Sequence, residues 1–199
     1  MKYLKHKVTN EIIISKSRFI GILIPVSSNS MIPDLISSLK KEYPKATHYC
    51  YASITGENGE YHNSSDDGEP SGTAGVPILS VLKHHEVTDI LCVVIRYYGG
   101  IKLGAGGLIR AYGSCCSKVL EYAIFYKKKT VPLYKLSFNY SLIDKIEHLL
   151  KDKANIIDKE FLNNVTYSVY LDDITVLEDI NHLLDHKEFL GNITLDINI

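Results

Sequence analysis

The chain has 199 residues, of which 45% are hydrophobic and 23% are charged, a composition typical of a soluble globular protein. No apolar run reaches the roughly 20 residues that a membrane-spanning helix needs, and residues 1–10 lack the apolar core of a signal peptide. The net charge of −1 divides into 15 Lys and Arg against 11 Asp and Glu in residues 1–128, and 7 against 12 in residues 129–199. We therefore expect a cytoplasmic protein with no membrane contact and four reduced cysteines, and any nucleic-acid contact in its first part.

Strand and helix patterns alternate through the first part of the chain. The predicted elements, in chain order, are strands at 8–14 and 17–26, a helix at 30–43, a strand at 48–55, a polar loop at 56–75, a helix at 76–84, a strand at 90–98 and a helix at 104–126. In the strand at 48–55, alternation places His48, Cys50, Ala52 and Ile54 on one face and Tyr49, Tyr51, Ser53 and Thr55 on the other. Residues 127–129 with Pro132 predict a linker.

The last third of the chain has the order strand, helix, strand, strand, helix, strand. The predicted strands are at about 133–140, 155–161, 164–171 and 192–198, and the helices at about 142–152 and 174–186. Asn163-Asn164 suits a tight turn between the middle strands. This order predicts a ferredoxin-like βαββαβ domain.

The most informative segment is residues 96–110 (RYYGGIKLGAGGLIR), in which five glycines follow a predicted buried strand and precede a predicted helix. Such a turn presents free N–H groups at a helix N-terminus, which favours an anion. It does not match the phosphate loop of P-loop proteins or the dinucleotide-binding fingerprint. The alternative is that the glycines only allow the strand and the helix to pack closely.

Basic and aromatic residues extend this hypothesis. The predicted anion- or nucleic-acid-binding residues are Lys16, Arg18, His48, Arg96, Gly99, Gly100, Lys102, Gly104, Gly106, Gly107 and Arg110. Four tyrosines are candidates for stacking on bases: Tyr49, Tyr51, Tyr97 and Tyr98. The alternative is that tyrosines on strands belong to the core or to the ordinary surface.

Residues 64–75 (SSDDGEPSGTAG) form a second stretch of small residues before a helix. Its carboxylates, Asp66, Asp67 and Glu69, allow three interpretations: a divalent cation site, an acid–base pair, or a structural role in which they pair with Arg96 and Arg110 or cap the next helix. We favour the structural role.

His48 and Cys50 share a strand face, where they form either a thiol–imidazole pair or part of the core. No cysteine or histidine pair has the spacing of a zinc site, and the residues identify no catalytic constellation, metal or cofactor.

Both stretches, together with residues 16–20 (KSRFI) and 46–52 (ATHYCYA), resemble the signature of the Impact/YigZ family. The resemblance implies two domains, at 1–128 and 131–199, in an α+β protein. The first would have the fold shared by GHMP kinases and domain IV of elongation factor G, and the second would be ferredoxin-like, as domain V of that factor is.

The likeness of both domains to those of elongation factor G implies RNA or the ribosome as partner. Eukaryotic family members act in translational control, so the resemblance also implies a regulatory role in translation, although not their regulation of a kinase. Two other functions remain open. One is an enzyme acting on a phosphorylated small molecule or nucleotide, and the other is a protein-interaction module. The sequence does not indicate an oligomeric state.

Overall fold

The computed structural model describes all of residues 1–199 and divides the chain into two units. The first unit comprises Met1–Lys127 with Asn198–Ile199, and the second comprises Lys128–Ile197. The fold is mixed α+β, with five α-helices and two sheets. None of the helices combines the length and the apolar character needed to cross a bilayer.

The first unit contains most of the elements. In chain order they are β1 (Lys2–Leu4), β2 (Val8–Ile14), β3 (Ser17–Pro25), α1 (Ile32–Glu42), β4 (His48–Thr55), β5 (Tyr61–Ser65), α2 (Gly75–His84), β6 (Val87–Thr88), β7 (Ile90–Tyr97), α3 (Gly104–Leu120) and the beginning of β8 (Phe125–Phe138). Its five-stranded sheet has the order β2-β3-β7-β4-β5 and is antiparallel throughout.

Strand β7 lies at the centre of this sheet, which explains why its sequence is an unbroken apolar run. Helices α2 and α3 cover one face and α1 covers the other, so the unit has a core on each side of the sheet. The alternation predicted for β4 is confirmed, since Cys50 packs on the α2–α3 side and Tyr49 on the α1 side.

Three predictions about this unit were wrong. The predicted loop at 56–75 contains β5, an edge strand that is polar and largely exposed and therefore shows no apolar period. Helix α3 ends at Leu120 rather than near residue 126, because Phe125 already belongs to β8. The predicted linker is likewise part of β8, whose Pro132 directly precedes Leu133, where the pairing with β10 begins.

The second unit contains the end of β8, α4 (Ile143–Leu150), β9 (Ala154–Phe161), β10 (Val165–Leu171), α5 (Val176–Ile180) and β11 (His186–Asn198). The order of elements is the expected one, and the strands lie in the order β11-β8-β10-β9. The second helix is much shorter than the predicted 174–186, because a 3-10 turn follows it and β11 begins at His186. Both helices pack on one core that includes Leu136, Ile146 and Val176.

Candidate functional site

The glycine-rich turn joins β7 to α3 and packs against the tip of the β2–β3 hairpin. The two residues of that tip, Ser15 and Lys16, have positive φ angles of 46° and 64°. Gly99 lies so close to them that a Cβ there would overlap the backbone of Lys16 and Ser17. The Gly99 N–H also donates to the Ser17 hydroxyl (3.2 Å). A glycine is therefore required at this contact, which brings the hairpin tip to the start of α3.

Helix α3 begins with an open N-terminus. Gly104 enters it with a φ of 68°, and the residue in the capping position, Leu103, offers no side-chain acceptor. The first N–H groups of any helix have no partner within the helix. In a helix of 17 residues, these groups present partial positive charge to whatever lies before them.

Helix α2, on the same face of the sheet, has the opposite arrangement. The Asp66 carboxylate accepts hydrogen bonds from the N–H groups of Gly72 (2.8 Å), Ala74 (2.9 Å) and Gly75 (2.9 Å). Burial acts to raise the pKa of Asp66, but these three bonds outweigh it and hold the pKa below its ordinary value. The chain therefore supplies its own anion to α2 and none to α3.

A buried ion pair lies beneath the turn. Arg96 Nη1 donates to Glu69 Oε1 at 2.6 Å, and both side chains are at least 94% buried. The Tyr112 hydroxyl donates to the same oxygen (2.8 Å), and His48 Nε2 lies 3.9 Å from it. Arg96 Nη2 donates to the Ser17 hydroxyl (3.3 Å), whereas Arg96 Nε is buried without a partner.

The predicted basic residues do not all meet on one surface. Arg18 is paired across the sheet with Tyr97, while Arg96 is paired with Phe19 and His48. Because directly paired residues share a face, Arg18 lies on the α1 side and Arg96 on the α2–α3 side. Arg18 also forms an ion pair with Glu11 (2.8 Å). The face on which a strand residue lies relative to a distant turn depends on strand register, which the sequence did not indicate.

The tyrosines separate in the same way. Tyr49, Tyr51 and Tyr97 pack on the α1 side, away from the turn. The ring of Tyr98 lies 5.3 Å from the Arg96 guanidinium, next to the turn. Of the four predicted stacking residues, the structure places Tyr98 alone beside α3.

Three cations remain without an ion pair near the start of α3. Lys102 and Arg110 line a groove of about 370 Å³ together with Ser15, Gly107 and Ser114, and Lys16 stands at the hairpin tip above Gly99. No carboxylate lies within ion-pair distance of Lys16, Lys102 or Arg110. The open helix N-terminus is thus accompanied by unneutralised positive charge.

The acidic residues of the 64–75 stretch serve three different partners. Asp66 binds the amides before α2, Asp67 accepts from the Tyr49 N–H (2.7 Å), and Glu69 pairs with Arg96. Three or more His, Cys, Asp or Glu residues do not come together anywhere in the chain in a way that could hold a metal ion. Arg110, which the sequence offered as a second partner for these carboxylates, forms no ion pair with them.

Cys50 and His48 do not form a catalytic pair. The Cys50 thiol donates to the carbonyl oxygen of Asp66 (2.9 Å), and His48 Nδ1 donates to that of Asp67 (2.8 Å). Burial raises the pKa of the Cys50 thiol to about 12, so the nucleophilic thiolate is scarce at neutral pH.

Two contributors to this site were not identified from the sequence. Tyr112 lies on the apolar face of α3 and was not among the predicted site residues, yet its hydroxyl reaches Glu69. Ser17 serves both Gly99 and Arg96. A tyrosine within an apolar helix stripe is a weak signal that a polar partner lies across the core.

Comparison with known proteins gives a family and several relatives to which this chain is similar. The Impact N-terminal domain matches residues 15–120, which include the hairpin tip, both small-residue stretches and all of α3. The IMPACT family member YvyE of Bacillus subtilis is 42% identical over 165 residues, covering 82% of this chain and 76% of the relative. The IMPACT family member YigZ of Escherichia coli is 37% identical over 175 residues, covering 86% of each. A crystal structure described as that of a hypothetical protein is 33% identical, with a TM-score of 0.62 and 96% of each chain covered.

Proposed function

The chain belongs to the Impact family, and we propose that it is a cytoplasmic RNA- or ribosome-associated protein with a regulatory role in translation. In this proposal, RNA phosphates lie at the N-terminus of α3, between Lys102 and Arg110. Three of the basic residues named from the sequence, Lys16, Lys102 and Arg110, take part. Arg18 does not, because it lies on the other face of the sheet.

One observation carries this proposal, the contrast between the two helix N-termini on the same face. The N-terminus of α2 is occupied by Asp66, while that of α3 has no internal anion and is flanked by unpaired cations. An anion at an exposed helix N-terminus gains about 0.3–1 kcal/mol from the helix dipole. Charge-assisted hydrogen bonds from Lys102 and Arg110 add to this gain.

The proposed folds of the two units fit this function. We assign the first unit to the fold shared by GHMP kinases and domain IV of elongation factor G, and the second to the ferredoxin-like fold. The strand order β11-β8-β10-β9 in a βαββαβ unit supports the second assignment. Likeness of fold alone is a weak argument for function, so the site carries the proposal.

An enzyme acting on a phosphorylated small molecule is the second candidate, because the same open N-terminus would hold a free phosphate group equally well. It predicts that ATP or sugar phosphates with magnesium raise the melting temperature of the protein. An unchanged melting temperature across that ligand panel would reject this candidate.

The test of the first candidate is RNA binding measured at several salt concentrations. We expect a single-stranded RNA to bind at low salt and its affinity to fall steeply as salt rises, because phosphate contacts release counterions. The double variant Lys102→Ala/Arg110→Ala should bind more weakly, with a log–log salt slope smaller by about 0.7 for each RNA phosphate that the variant no longer neutralises.

The matched control is Lys118→Ala, which removes a charge from the other end of α3, where Lys118 is paired with Glu121. Its affinity and salt slope should equal those of the unmodified chain. Absence of RNA binding at low salt, or equal losses in the control and the double variant, would reject the proposal.

A further inference from the structure

A small cavity lies beside the open N-terminus of α3. Its volume is about 240 Å³. Its walls are mostly apolar and aromatic, and the lining includes Pro70, Tyr98, Leu103, Ala105 and Leu108. Sites for drug-sized ligands are usually about 300–1,000 Å³, so this one has room for a single small ring system.

Two polar groups that line the cavity are incompletely satisfied. Arg96 Nε is buried and has no hydrogen-bond partner. Glu69 receives its bonds from Arg96 and Tyr112 on Oε1, and Oε2 accepts none. Buried polar groups are nearly always paired, so the unpaired Arg96 Nε indicates a ligand that brings an acceptor, and the same ligand can offer a donor to Glu69 Oε2.

A free phosphate or carboxylate does not fit this combination. It would satisfy Arg96 Nε but would bring negative charge against the Glu69 carboxylate, and it would leave the apolar walls in contact with water. A flat, largely apolar group with a donor next to an acceptor on its edge fits these features. Any negative charge it carries belongs at the mouth, beside Lys102 and the first amides of α3.

We propose that this cavity receives one unstacked nucleobase of a bound RNA single strand. Each nucleobase carries a donor next to an acceptor on its Watson–Crick edge, and proteins read RNA single strands through such edges and through stacking on aromatic rings. Tyr98 provides the ring, and the neighbouring phosphates lie at the N-terminus of α3. This inference rests on the proposed function and adds a base-binding pocket to its phosphate site.

The experiment compares a single-stranded RNA with an abasic strand of the same length and charge, by fluorescence anisotropy on the full chain. We expect the RNA to bind about tenfold more tightly, since base–aromatic stacking contributes a difference of this size. Equal affinities for the two strands would overturn the base pocket and leave the phosphate site intact. Failure to bind either strand would overturn the proposed function itself.

A cavity-filling variant locates the effect. Ala105 is exposed on the first turn of α3 and lines the cavity, so Ala105→Trp fills the mouth without disturbing the core. It should reduce RNA affinity at least to that of the abasic strand for the unmodified chain. The control, Tyr122→Trp, places the same indole at an exposed position beyond the other end of the helix and should not change RNA affinity.

Binding of free nucleotides tests whether the cavity receives a base of an RNA strand or a free nucleotide. The RNA strand should bind far more tightly than adenosine, guanosine, cytidine or uridine 5′-monophosphate, because it adds phosphate contacts along the groove. A monophosphate that binds as tightly as the strand, with binding abolished in Ala105→Trp, would overturn the assignment to RNA.

Discussion

Glu69 and Arg96 form an ion pair that is buried beneath the glycine-rich turn, with 2.6 Å between Oε1 and Nη1. The pair joins the loop before α2 to the end of β7, and its hydrogen bonds to Tyr112 and Ser17 extend to α3 and β3. Four segments of the first unit thus meet at this one pair. Arg96 is therefore mainly a structural residue, because its charge is balanced by Glu69. Nε is the atom of its guanidinium that has no partner within the chain.

Removing one partner of this pair should therefore be costly. Glu69→Ala leaves the guanidinium buried without its counter-charge, and we expect the free energy of unfolding to fall by about 3–5 kcal/mol. Urea denaturation followed by circular dichroism measures the change. The control is Glu42→Ala, which breaks an exposed pair with Lys7 and should cost about 0–1 kcal/mol. Similar losses in the two variants would contradict the structural role assigned to Glu69.

Asp66 should make stability depend on acidity. The pKa of Asp66 is lower in the folded chain than in the unfolded chain. The stabilisation that Asp66 provides is therefore fully present at pH values above the ordinary pKa near 3.8, and it is lost as the pH falls through the lowered pKa of the folded state. Asp66→Ala should cost about 0.5–2 kcal/mol at pH 7, as the loss of a helix cap does, and less at pH 2. Chemical denaturation at the two pH values measures both.

The control for this prediction is Asp34→Ala. Asp34 lies in the first turn of α1, where it is exposed and makes no capping bond. Its removal should cost less at pH 7. A loss for Asp66→Ala that is equal at pH 7 and pH 2 would show that the ionised carboxylate is not what holds the amides of α2.

Gly99 should not accept a side chain. The methyl group of Gly99→Ala would overlap the backbone of Lys16, and relieving the overlap should cost about 1–3 kcal/mol of stability. RNA binding should weaken as well, because the hairpin tip and Lys16 would be displaced from α3. Thermal unfolding and the anisotropy assay measure the two effects.

Gly106→Ala is the matched control, seven residues further along the same segment. A Cβ at Gly106 would lie 3.6 Å from the nearest atom, Arg110 Nη1, which is an ordinary contact. Alanine is also the better helix former, so this variant should be as stable as the unmodified chain or more stable. A Gly99→Ala variant that melts at the temperature of the Gly106→Ala variant would rule out the predicted overlap.

The four cysteines should be unreactive in the folded chain. All are buried, and burial raises the pKa of the Cys50 thiol to about 12. At pH 8 a disulfide reagent should therefore titrate essentially no thiol quickly, and four on addition of denaturant. A single fast-reacting thiol in the folded chain would restore the thiol–imidazole interpretation of Cys50 and His48.

Local patterns were sufficient for much of the fold. The alternation in β4, the uninterrupted apolar run of β7 and the βαββαβ order of the second unit all follow from periods of two and about 3.6 residues, which each segment carries in itself. Segments whose stability depends on neighbours were missed. Strand β5 is polar and exposed, and β1 and β6 consist of three and two residues, too few to show a period.

The sequence by itself determined that a glycine turn with flanking cations begins a helix, and that a second stretch with three carboxylates begins another. Only the tertiary structure decided which carboxylate takes which role: Glu69 neutralises Arg96 and Asp66 binds the amides before α2. It also decided that the N-terminus of α3 stays open beside Lys102 and Arg110. It also decided that Arg18 faces away. The reason is physical: Glu69 and Arg96, which are 27 residues apart, meet according to strand register and helix packing, which no local pattern records.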